Sequence, residues 1–148
     1  MKREVINSLR LEIDSRSKNE ALARQLVSAF IIPEDPTVEE LADLRTVVSE
    51  AVTNSVIHGY GGGKGKIIIS LKLYEDRTLI LKVRDLGNGI EDVEKAMQPM
   101  FTTDPSGERG GMGFPIMRSF TDSIKVKSKP GAGTTVTMVK KLSSEDGK

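Results

Sequence analysis

The sequence predicts an α+β domain: a two-layer sandwich with helices packed on one face of a mixed, mainly antiparallel sheet. Three observations carry this. Apolar residues recur at helical spacing in the first part of the chain, most clearly between 41 and 56. Aliphatic stretches with strand character fill 66–74, 78–85, 123–129 and 134–140. The strands come in hairpin-like pairs after a block of helices rather than alternating with them, which favours antiparallel pairing. One domain is expected over 1–142, and 143–148 is expected to be a disordered tail.

Leu9, Leu11 and Ile13 alternate with Arg10, Glu12 and Asp14, the period of a strand with one buried face. Ser17-Lys18-Asn19-Glu20 then reads as a capping box, and Leu22, Leu26, Ala29 and Phe30 follow at helical spacing until Pro33 and Pro36 end the helix. Thr37-Val38-Glu39-Glu40 is a second capping box. After it Leu41, Leu44, Val48, Ala51, Val52 and Val56 carry a helical stripe to about His58, with Gly59 as the expected C-terminal cap. Gly61-Gly62-Gly63 is a flexible link. Glu75-Asp76-Arg77 joins the first hairpin, and Pro130-Gly131-Ala132-Gly133 joins the second. Short helices are expected at 92–97 and 114–120, the second tolerating Pro115 because a first helical turn needs no amide there.

Composition excludes several functions. With 148 residues, one core is expected and no second sizeable domain. Lysine plus arginine (22) nearly balances aspartate plus glutamate (21), so no direct nucleic-acid or membrane partner is expected. Without cysteine, neither disulfides nor thiolate metal sites can form, and the natural setting is a reducing cytoplasm. Apolar runs such as Ile67-Ile68-Ile69 are too short to span a bilayer, and no signal-type core follows the charged start. Lack of tryptophan points to an aliphatic core.

Three stretches can carry chemistry. Glu50 and Asn54 lie four apart on a helix and so project to one side, with His58 a turn further. Asn54 offers the single oxygen that magnesium needs when phosphates complete its shell, leaving Glu50 available as a base; a solvated helix face would look the same. Asp85-Leu86-Gly87-Asn88-Gly89 ends a predicted strand, where Gly87 and Gly89 let the backbone approach a planar ligand. A carboxylate such as Asp85 accepts from the exocyclic amine of adenine, although an ordinary tight turn also explains Asp-x-Gly. Gly110, Gly111, Met112 and Gly113 precede the helix at Phe114, whose free amides suit phosphate; a plain connector fits them equally. No lysine and hydroxyl pair follows, so this is not a Walker motif. Thr134 can add a hydroxyl near the base. His58 is the sole histidine, which rules out triads and histidine-rich metal sites within one chain.

Together these segments resemble the GHKL superfamily of ATPases and kinases: Glu50-x-x-x-Asn54 its N box, Asp85-x-Gly87-x-Gly89 and Gly111-x-Gly113 its two glycine boxes. The stretches Thr46 to Asn54, His58-Gly59-Tyr60, Gln98-Pro99-Met100-Phe101-Thr102-Thr103 and Glu108 to Phe114 resemble, more narrowly, the anti-sigma-F factors of spore-forming bacteria. That resemblance implies a homodimeric, cytoplasmic serine kinase that uses ATP/ADP and magnesium. It implies sequestration of a sigma-F-type factor and phosphorylation of an anti-anti-sigma protein on serine. By position, Glu50 is implied as the catalytic base, Arg109 as a lid arginine active in transfer, Asn54 as the magnesium ligand and Asp85 as the adenine reader. Thr102, Thr103, His58, Gly59 and Thr134 join the implied nucleotide site, and Arg24 is an implied partner contact. Asp104, where lysine is common, Pro115 and the Gly61–Gly65 loop depart from the pattern without touching the boxes. The alternatives are a general-stress-type anti-sigma kinase, a non-catalytic module gated by ATP, and a detached histidine-kinase domain, which the short lid disfavours.

Overall fold

Strand β1 covers Val5–Asp14, and helix α1 (Asn19–Ile31) leads through a 3-10 turn, Ile32–Glu34, to helix α2 (Val38–Asn54). A π-helical turn, Ser55–Gly59, extends α2, and β2 (Lys66–Tyr74) and β3 (Thr78–Asp85) follow. Short helices α3 (Val93–Ala96) and α4 (Gly113–Ser119) precede β4 (Ser123–Lys129) and β5 (Gly133–Lys141). The computed structural model describes residues 3–98 and 113–143; of the expected tail, 143–148, only Ser143 lies among them, bonded to Arg77 and Glu40.

The sheet order is β1-β2-β3-β5-β4, and every described pairing is antiparallel, so the expected parallel component is absent from the described sheet. Its register stacks side chains in rungs across the strands. Leu11, Ile69, Val83, Val136 and Val126 form one rung; Leu9, Leu71, Leu81, Met138 and Ile124 form the next. These rungs face α1, α2 and α4 and make up the sheet side of an aliphatic core. The same alternation places Arg10, Lys82, Arg84 and Lys127 on the opposite, helix-free face.

Two expectations for α1 change. Its buried stripe is Ala23, Val27 and Ile31, while Leu22 and Leu26 are 46% and 37% exposed. The helix carries two apolar stripes one residue apart, and periodicity alone does not choose between them; packing turns the smaller residues inward. Ser17 does not cap the helix. The N-cap is Lys18, which makes no side-chain hydrogen bond. The Glu20 carboxylate is engaged elsewhere, accepting from the Ser49 hydroxyl of α2 and pairing with Arg24 at 3.4 Å.

The capping box of α2 forms as expected. Thr37 Oγ1 accepts from the Glu40 amide at 3.0 Å, and Glu40 Oε1 accepts from the Thr37 amide at 2.8 Å. Glu40 Oε2 also accepts from the Ser143 amide at 2.7 Å, tying the chain's C-terminal end to this helix start. Burial raises the energy of the Glu40 carboxylate, yet these donors outweigh it and hold its pKa below the usual glutamate range. Thr37→Ala is therefore expected to cost about 1 kcal/mol, read as a lower urea midpoint at unchanged slope. A lowered folded pKa means the contribution is present above the ordinary glutamate value and fades as pH falls through the folded one, so the deficit of the variant should shrink in acid. An unchanged midpoint near neutrality would show that the box adds nothing.

Candidate functional site

The rung beyond Val83 changes character. Ile13 and Ile67 occupy its first two places, but Asp85 follows, paired with Thr134, which is paired in turn with Ser128. Three polar side chains thus continue the core-facing side of β3, β5 and β4. Asp85 is 4% and Thr134 9% exposed. Asp85 Oδ2 accepts from the Ser55 hydroxyl at 2.9 Å and Oδ1 from the Gly87 amide at 3.0 Å. Burial pushes the Asp85 pKa up, and hydrogen bonds from Gly87, Ser55 and the Thr134 amide oppose that rise. The donors also fix the carboxylate's orientation.

The π-helical turn is the second half of the arrangement. It places Ser55 and Gly59 directly against Asp85, and π-helical turns, though rare, are frequently found at functional sites. Gly59 is not the terminal cap expected from the sequence; that position is Tyr60. Its lack of a side chain matters for another reason, since a Cβ there would lie 2.8 Å from Asp85 Oδ2. Gly87 needs the same freedom, because its Cβ would overlap the Gly59 carbonyl. With both glycines in place, the Asn88 amide donates to the Gly59 carbonyl at 2.6 Å.

Further bonds hold the 85–89 turn from both sides. The Tyr60 hydroxyl donates to the Lys66 carbonyl at 2.5 Å and accepts from the Leu86 amide at 2.8 Å. On the other side, Gly131 N donates to the Asn88 carbonyl at 2.7 Å and Ile90 N to Ser128 Oγ at 2.7 Å. Sequence reasoning gives no role to Ser55 or Ser128, and names Tyr60 only within the His58-Gly59-Tyr60 stretch of the family resemblance. Ser128 carried one signal: it shares strand parity with Ile124 and Val126, so it is a hydroxyl at a core-facing position.

A cavity of about 490 Å³ on the helix-free face touches this rung only from behind, whereas a cavity of about 470 Å³ opens directly above it, under α2. Asn54, His58 and Gly59 line the upper cavity from α2 and its π-turn, and Asp85, Gly89 and Thr134 from the sheet end. Gly113 and Phe114 at the start of α4 and Lys95 on α3 close other sides. Asp85 and Thr134 offer acceptors to a base, while Asn54 offers an amide oxygen of the kind that suits magnesium carried by phosphates. Among the described residues no group of three or more histidine, aspartate or glutamate side chains could cage a metal.

Glu50 falls elsewhere. Four residues along α2 separate it from Asn54 by about 6 Å of rise and roughly 40° of rotation, enough to change its surroundings. It lines a groove of about 540 Å³ between α1 and α2, together with Arg24, Arg45 and Ser49. Arg24 pairs with Glu20, and its Nε is buried without a hydrogen-bond partner among the described residues. Gly87 packs behind the cavity wall instead of lining it. Thr102, Thr103, Arg109, Gly110, Gly111 and Met112 lie outside the described residues.

This sheet, helix layer and cavity are those of the histidine kinase-like ATPase domain, whose family model matches residues 13–140. Solved structures agree on the fold: the RsbU and RsbW domains of Rv1364c from Mycobacterium tuberculosis superpose with TM-score 0.69 at 21% identity, over 93% of this chain and 33% of that one. The mycobacterial sensor histidine kinase MprB superposes with TM-score 0.57 at 14% identity, over 91% of this chain and 100% of that one.

Within this class the chain belongs to the anti-sigma F factor family. It is 50% identical over 138 residues to the anti-sigma F factor of Bacillus licheniformis, covering 93% of this chain and 94% of the relative. That of Bacillus subtilis strain 168 is 49% identical over 138 residues, with 93% and 94% covered. That of Thermoanaerobacter sp. strain X514 is 49% identical over 143 residues, with 96% and 99% covered. Among the described residues, no helix is long and apolar enough to cross a membrane.

Proposed function

We propose that this protein sequesters the sigma-F subunit of RNA polymerase and, as an ATP-dependent serine kinase, phosphorylates the anti-anti-sigma protein that opposes it. It acts as a cytoplasmic homodimer. The observation that carries this reading is the acceptor pair of Asp85 and Thr134 in one cavity with Asn54, in a chain half identical to anti-sigma F factors. Asp85 receives the exocyclic amine of adenine, and Asn54 contributes an oxygen to magnesium at the phosphate end. Magnesium, when bound, spreads the charge of the transferring phosphoryl group.

The remaining task is to take the proton of the attacking serine, which falls to Glu50. Its place in the α1–α2 groove supports this division of labour, because a serine carried by a protein must arrive from an open side. Arg24 in the same groove and the exposed Leu22 and Leu26 on α1 offer that partner a cation and apolar contacts. Arg109, Thr102, Thr103 and Gly110 to Met112 complete the phosphate end, as the family resemblance implies. Mixing the protein with labelled ATP, a cognate anti-anti-sigma protein and sigma-F should yield phosphoserine on the anti-anti-sigma protein and a captured complex with sigma-F. No phosphoserine would reject the kinase assignment, and no capture would reject the anti-sigma role.

A further inference from the structure

We propose that Ser128 determines base specificity: by accepting the hydrogen bond of the Thr134 hydroxyl, it leaves the Asp85–Thr134 edge of the cavity presenting acceptors only and so selects 6-aminopurine over 6-oxopurine nucleotides. This rests on the nucleotide reading above and goes beyond the boxes of the sequence, none of which contains Ser128.

The argument is a count of protons. Ser128 Oγ lies 3.0 Å from the Gly133 carbonyl and 2.8 Å from Thr134 Oγ1, and it accepts from the Ile90 amide at 2.7 Å. A carbonyl only accepts, so the bond to Gly133 consumes the one hydroxyl proton that Ser128 has. Either hydroxyl could donate across the 2.8 Å contact with Thr134, but all three contacts of Ser128 are satisfied together only when Thr134 is the donor. Its hydroxyl proton points away from the base position, and only its lone pairs remain for a ligand in the cavity it lines. Asp85, beside it in the same rung, is an acceptor as well, with its own donors supplied by Ser55, Gly87 and the Thr134 amide. Two adjacent acceptors match an exocyclic amine. A 6-oxopurine puts a carbonyl at that position, and its N1–H can satisfy one of the two acceptors at most, so the other faces the carbonyl's lone pairs, which is the costly case.

The test compares adenosine and inosine diphosphates, which differ only at purine position 6 and its ring neighbour, by calorimetry with magnesium present. The wild type should prefer the adenine nucleotide. In Ser128→Ala the Thr134 hydroxyl becomes free to rotate and donate, so the preference should narrow by about five- to tenfold, while Asp85 keeps it from vanishing. Ser128→Thr retains the hydroxyl and should keep the wild-type ratio. Ser128→Ala also removes the acceptor of the Ile90 amide, and a merely structural role would weaken both nucleotides alike. An unchanged ratio in Ser128→Ala would therefore overturn the proposal. If the wild type bound neither nucleotide, the fault would lie with the nucleotide reading itself.

Discussion

Glu50→Gln is expected to lower phosphoryl transfer by about 10²- to 10⁴-fold, the usual range for loss of a positioned general base. Glutamine keeps the shape and the hydrogen-bonding reach of the side chain but cannot hold a proton. Because Glu50 lines the α1–α2 groove and not the cavity of Asp85 and Thr134, nucleotide affinity should stay near the wild-type value. Sigma capture should also persist, since the substitution changes neither Arg24 nor the exposed face of α1. Single-turnover transfer from labelled ATP measures the first effect, and calorimetry with a capture assay measures the others. Full transfer in the variant would remove Glu50 from the chemistry. Loss of capture together with transfer would recast it as part of the docking surface.

The second large effect is Asp85→Asn, for which about a 100-fold loss of adenine nucleotide affinity is expected. The carboxylate accepts from Ser55, Gly87 and Thr134, so an amide must turn its own donors toward groups that already donate. A buried mismatch of this kind costs more than the bond it replaces. The pH response follows from the raised pKa of Asp85. As pH falls through that raised value the carboxyl gains a proton and stops being a pure acceptor, so nucleotide affinity should drop. For stability the sign is opposite: the folded state holds the proton more tightly than the unfolded chain. Stability therefore decreases as pH rises from the ordinary aspartate value through the folded one, and Asp85→Asn should lack that slope. Equal nucleotide affinity in variant and wild type would sink the adenine-reading role.

Much of the framework was legible in the residues. The strands at Lys66–Tyr74, Thr78–Asp85 and Ser123–Lys129 begin and end where alternation and turn residues say they should. The Thr37 to Glu40 box starts α2 as its four residues require. These are local features, decided within a few residues. The stripe that α1 buries was not legible, because both of its apolar faces satisfy the same period, and α2 was read as uninterrupted where it widens into the π-turn.

Chain chemistry alone thus settled the helix and strand content and brought Asn54, Asp85 and Thr134 forward as candidates. Tertiary structure decided what surrounds them. Asp85 meets Ser55 thirty residues away and Thr134 through the β3–β5 register, and Thr134 meets Ser128 through the β4–β5 register. It also sent Glu50 into the groove with Arg24 while Asn54 faced the cavity. The reason is physical: periodicity describes which way one element faces, whereas burial, hydrogen-bond direction and pKa depend on atoms that only packing and sheet register bring within about 3 Å.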